Sequence, residues 1–96
     1  MKRLAEQPYV KMEREIGLTG QHYVEENRRL YLYADRIVSR HHVFPIEKVW
    51  DMSYRPVSDD GGLLYLHTSE GVHVYTLKES PEHFIEVFRQ AIKKQR

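Results

Sequence analysis

Ser80-Pro81-Glu82-His83-Phe84-Ile85-Glu86-Val87-Phe88-Arg89-Gln90-Ala91-Ile92 is the stretch whose reading decides the fold. Phe84, Phe88, Ala91 and Ile92 recur at spacings of three and four residues, with Ile85 beside them, which is the apolar stripe of an amphipathic helix. Ser80 can cap the free amides of a first turn. Pro81 suits the first helical position, where its missing N–H costs nothing, and Glu82 complements the positive end. Lys93, Lys94 and Arg96 fall at the other end, where the helix dipole favours cations. Such a stripe requires a sheet to lie on.

Moving upstream, Leu63–Thr68 and Val72–Leu77 are rich in strand formers. Ser69-Glu70-Gly71 between them predicts a hairpin with a bulge. Ser58-Asp59-Asp60-Gly61-Gly62 reads as a loop, because its glycines accept backbone angles other residues resist. Val49 to Arg55 reads as a strand ending before Pro56, with Trp50, Met52 and Tyr54 on one face. Pro45 cannot donate to a central ladder and marks a strand boundary, after which Ile46-Glu47-Lys48 makes one turn. Leu30-Tyr31-Leu32-Tyr33 turns at Ala34-Asp35 and returns as Arg36–Arg40.

Earlier in the chain, Val10, Met12 and Ile16 alternate with Lys11, Glu13 and Glu15. Period two predicts a half-buried strand over Tyr9–Ile16, although the charge density also permits a short helix. Thr19-Gly20 suits a turn, His22-Tyr23-Val24 a short strand and Glu25-Glu26-Asn27 a polar connection. Residues 1–8 read as a flexible N-terminal arm ending at Pro8, and residues 9–96 as a single domain.

Size and charge bound the function. A 96-residue domain hides roughly 60–70% of its unfolded surface, enough for a core without staples. With no cysteine there is neither a disulfide framework nor a cysteine metal cluster, which fits a reducing compartment. Met1–Pro8 has a basic tip with no apolar stretch behind it, unlike a secretory leader, and no run is apolar enough to cross a bilayer. The expected location is cytoplasmic, with the inner membrane face as a peripheral variant. Lys plus Arg number 15 against 14 Asp plus Glu, a net charge of +1, which argues against a nucleic-acid partner.

The order of parts resembles the small bacterial pleckstrin-homology-like (PH-like) domains. Phe44-Pro45-Ile46-Glu47-Lys48-Val49 stands where that family turns into a middle strand. Gly71-Val72-His73-Val74-Tyr75 matches its late hairpin return, and Ser80-Pro81-Glu82-His83-Phe84 its helix start. The likeness covers about residues 29–95. It implies an α+β, mainly β fold: a bent, partly open antiparallel barrel of about seven strands capped by one C-terminal helix. Phosphoinositide-binding relatives carry clustered basic residues around the first hairpin. Here Lys11 and Arg14 stand among Glu13, Glu15, Glu25 and Glu26, which argues against that ligand.

No constellation for catalysis is patterned: there is no nucleophile elbow, phosphate loop or metalloprotease motif, and no cofactor is expected. Among six histidines, His41-His42 point to opposite faces of a strand. His67 and His73 are placed to meet across a hairpin but lack further ligands, so no metal is expected. Asp59-Asp60 lacks the alternating oxygens of a calcium loop.

The aromatic residues have two readings. They fill the barrel and its rim, or Trp50, Tyr54, Tyr31 and Tyr33, with Arg55 beside Tyr54, form a partner-binding face. The function expected is a non-enzymatic interaction module, binding a protein partner or self-associating through that face or through a sheet edge. The candidate edges are Tyr9–Ile16 and Val49–Arg55. The alternatives are weak peripheral binding to an anionic membrane through Lys93, Lys94, Arg96 and the arginines near Arg28, and a small-molecule site in the barrel mouth.

Overall fold

The computed structural model describes residues 2–17, 20–59 and 61–95, without the side chains of residues 13–16, 21, 22 and 95. Thr19, Asp60 and Arg96, each part of an expectation above, lie outside the described residues. The strands are β1 (Ala5–Gly17), β2 (Gly20–Leu32), β3 (Arg36–Val38), β4 (Val43–Pro45), β5 (Val49–Ser58), β6 (Gly61–Thr68) and β7 (Gly71–Leu77), followed by the helix α1 (Glu82–Gln95). A 3-10 turn at Ile46–Lys48 links β4 to β5, as the sequence predicts.

The seven strands form one sheet in the order β4-β3-β2-β1-β7-β6-β5, with every pairing antiparallel. β4 and β5 are its edges and are not bonded to each other, so the sheet is not closed into a barrel. It is nevertheless bent. Phe44 of β4 and Val49 and Met52 of β5 come from opposite ends of the strand order, yet all belong to one buried cluster. Phe84 and Phe88 of α1 complete that cluster, with Ile85, Val87 and Ile92 packed around it. The predicted stripe is therefore the docked face. The helix starts at Glu82: the Pro81 carbonyl accepts from the Ile85 N–H at 2.9 Å, and Ser80 Oγ accepts from the Glu82 N–H at 3.4 Å.

Several expectations are corrected. Residues 5–8 are no loose arm, because they pair with residues 29–32 of β2 and Gln7 is buried. β7 meets β1 only at Val10↔Thr76, so at Pro8 the missing N–H breaks no second ladder. Glu25-Glu26-Asn27 is no connection either. These residues continue β2 opposite Met12, Lys11 and Val10. From Lys11↔Glu26 to Gly17↔Gly20 the β1–β2 ribbon has no third strand, since β3 pairs with β2 only at Tyr31 and Leu32. Polar residues cost little in such a ribbon. A 13-residue strand spans about 43 Å, which explains a molecule 53 Å long and 28 by 25 Å across.

The β5–β6 connection needs its glycines for two different reasons. Gly61 has φ +152°, and a Cβ there would lie 1.9 Å from the Leu77 carbonyl oxygen. At Gly62 the obstacle is only closeness: a Cβ would lie 2.1 Å from the Arg55 carbonyl oxygen.

Candidate functional site

β5 is an edge strand of ten residues that reads as exposed along most of its length, and two irregularities interrupt it. The first lies between Val49↔Thr68 and Asp51↔His67, where Trp50 is the extra residue. A bulge of this kind turns the residues after it to the other face. Val49 and Met52 are accordingly both buried, while Trp50 is 59% exposed. Trp50, Met52 and Tyr54 therefore do not share a face, and only Met52 and Tyr54 turn toward the core. The second irregularity lies between Pro56↔Gly62 and Ser58↔Gly61, so the strand does not end before Pro56 but runs through it.

The backbone of this edge has a definite polarity. An Arg89 guanidinium nitrogen donates to the Met52 carbonyl at 3.4 Å from the side away from β6. In an antiparallel pair, a residue whose carbonyl faces outward also turns its N–H outward, as do the residues two and four further on. Met52 and Tyr54 thus present both groups to the open side. Pro56 presents a carbonyl alone, which is why a proline is tolerated there.

Beside this strip lies a groove of about 560 Å³, walled on one side by Met52, Ser53 and Tyr54. The α1 wall carries Glu82 and Glu86 toward one end, with Ile85 between these two, and Arg89 and Lys93 toward the other. Arg89 also pairs with Asp51 at 3.6 Å, both side chains more than half exposed. The groove therefore combines open backbone groups, an apolar floor and opposite charges at its two ends.

The other expected partner residues sit elsewhere. Arg55 is exposed on β5 opposite Leu63. Tyr31 belongs to β2 and Tyr33 follows it, with β1, β7 and β6 between β2 and β5 in the strand order. Their rings are engaged within the chain: the Arg3 guanidinium lies 4.7 Å from the Tyr31 centroid, and that of Arg36 lies 4.9 Å from Tyr33. Of the expected edge at Tyr9–Ile16, β7 covers only the part around Val10; from Lys11 onward the backbone of β1 has no neighbouring strand on that side. The arginines named for a membrane surface are paired with carboxylates, Arg28 and Arg40 with Glu26 and Arg29 with Glu6.

The histidines are redistributed by register. The β6–β7 turn is Ser69-Glu70, with Thr68↔Gly71 as its first pair, one residue tighter than expected. His67 then faces Val72 and His73 faces Leu66, so the two rings point to opposite sides of the sheet. His73 meets His42 instead, with ring centroids 5.3 Å apart, and Phe44 lies 4.8 Å from His73. His67 shares a 2.8 Å hydrogen bond with Ser53 on the outer face. A serine nucleophile would also need a third group to orient the ring, and none is hydrogen-bonded to it among the described residues. No group of three or more metal-ligating side chains occurs among the described residues.

Two ionisable groups depart from their ordinary values. The Arg28 hydrogen bond holds the Glu26 carboxyl below the usual carboxylate range, against some desolvation and with help from the charges of Arg28, Arg40 and His41. A folded-state value below the unfolded one lends stability that is present above the ordinary range and lost as pH falls through the lowered value. Burial pushes the Tyr75 hydroxyl up, partly offset by a hydrogen bond from Ser39, with Tyr9 adding to the rise.

No protein-family model matches the sequence, and no curated protein matches it. No described helix is long and apolar enough to cross a membrane. The groove's α1 wall escaped sequence reading because Arg89, Glu86 and Lys93 lie on the solvent side of an amphipathic helix, where such residues occur in any case.

Proposed function

We propose that this chain is a non-enzymatic, PH-like interaction module that binds an extended segment of a partner protein along β5. One observation carries the reading: the long open edge has outward backbone groups at Met52 and Tyr54 beside a groove against α1. An added strand replaces the single long Arg89 contact with a ladder of backbone bonds, and its alternate side chains enter the groove over Ile85. The charges at the two ends favour a segment with a basic residue toward Glu82 and Glu86 and an acidic one toward Arg89 and Lys93. Trp50 and Arg55 flank the strip and are placed to contact what lies beyond it.

The test is crosslinking and capture of partners from the native cell, followed by hydrogen exchange of the purified pair. Protection of the Met52 and Tyr54 amides, lost with Tyr54→Ala, supports strand addition. A strict monomer at high concentration that captures nothing, or a partner that leaves those amides unprotected, overturns it.

A further inference from the structure

We propose that the seam where β1 and β7 part is a binding site for a small phosphate-type dianion. The two strands are joined at Val10↔Thr76 and then separate, leaving a pocket of about 410 Å³ between β1, β7 and the turn after β3. Lys11 and Arg28 line it together with His41, His42 and His73, and among the described side chains no acidic one does. The chain as a whole carries a net charge of only +1, so half of its six histidines and two cations in one lining amount to a local sorting of charge among the described residues.

A neutral donor completes the site. Ser39 is buried, its Oγ accepts from the His42 N–H at 3.2 Å, and its own proton goes to Tyr75. Burial keeps the Tyr75 hydroxyl protonated and therefore a donor. The carboxylate that approaches is Glu26, opposite Lys11 on β2. It lies outside the lining and is bonded to Arg28 at 3.1 Å and within 3.7 Å of Arg40.

A phosphate or sulfate group offers only acceptors, arranged tetrahedrally. That suits donors arriving from β1 and β2, from the turn after β3, and from β7 better than it suits a planar carboxylate. The pocket is larger than the group itself, so the rings of Tyr9 and Tyr75, edge to face with centroids 4.8 Å apart, face whatever the phosphate carries. The ring N–H groups of His41, His42 and His73 add donors to the charges of Lys11 and Arg28.

Sulfate is the first probe, because it is a dianion at neutral pH. Sulfate is expected to move the NMR signals of His42, His73 and Tyr75. Lys11→Ala, at an exposed position, is expected to weaken binding about fivefold, whereas Lys94→Ala leaves it unchanged. Glycerol phosphate and phosphatidic acid vesicles then separate the sources. Vesicle pelleting abolished by Lys11→Ala assigns a lipid headgroup, and binding of glycerol phosphate without pelleting assigns a soluble ester. Unmoved signals, or equal effects of the two lysine variants, overturn the site. The β5 groove is untouched by these variants, so either reading fails alone.

Discussion

The two edges of the sheet are built differently. β4 is three residues long, with Val43 and Pro45 exposed and Phe44 buried, and the 3-10 turn ends it at once. An edge this short offers little to another chain. β5 is ten residues long and cannot rely on brevity. It is broken instead by the Trp50 bulge, by Pro56, and by Arg89 reaching over from α1. The comparison teaches that a long edge can be made unattractive to strands at large while a short strip, Met52 to Pro56, stays open beside a shaped groove.

The largest test is to remove what holds the groove together. Phe88 is fully buried, and Phe88→Ala should cost about 3–5 kcal/mol in a denaturant titration. Little change would mean that α1 does not anchor the β5 side. Next, the edges themselves can be set against each other. Met52→Ala should cost about 2–5 kcal/mol, because Met52 has no exposed surface. Val43→Ala on the short edge, 62% exposed, should stay within about 0.5 kcal/mol. Similar losses at both positions would erase the distinction. Gly62→Ala, which forces a Cβ against the Arg55 carbonyl, should cost about 1–3 kcal/mol by prising β5 from β6.

Two changes should move stability little and association more. Deleting Trp50 leaves Val49, Asp51 and Met52 in regular alternation and joins the two registers without a break. The edge becomes flat, and sedimentation should show stronger concentration-dependent association than for the parent chain. Unchanged sedimentation would show that the bulge protects nothing. Arg89→Ala removes only an exposed ion pair and one long hydrogen bond, so it should alter stability by about 0.5 kcal/mol or less. If Arg89 guards the edge, the Met52 carbonyl it releases should make the parent's β5 a better acceptor for an added strand.

Where sequence reading succeeded and where it failed follows the same physical line. The α1 stripe was legible because Phe84, Phe88 and Ala91 meet a single surface at helical spacing. The β6–β7 hairpin was legible from its alternation, buried at Leu64, Leu66, Tyr75 and Leu77. Trp50 misled because nothing local distinguishes a strand residue from a bulge residue. His67 and His73 misled because a turn tighter by one residue reverses a face. In the first 28 residues the strand over Tyr9–Ile16 was legible from its alternation, but its start at Ala5 and the run of β2 through Glu25-Glu26-Asn27 were not, because polar residues are tolerated where two strands pair without a third.

By itself, then, the amino-acid order determined the local elements: one helix with a known inner stripe, a late hairpin, prolines where ladders can spare a bond, and a near-neutral surface without a catalytic pattern. Tertiary structure alone decided that β1 sits between β2 and β7, that β4 and β5 become the edges, and that His42 meets His73 across the seam. The reason is range. Periodicity records how each segment faces a core, but neighbours and register depend on contacts between residues far apart in the chain, where a shift of one position leaves composition intact and reverses every side chain.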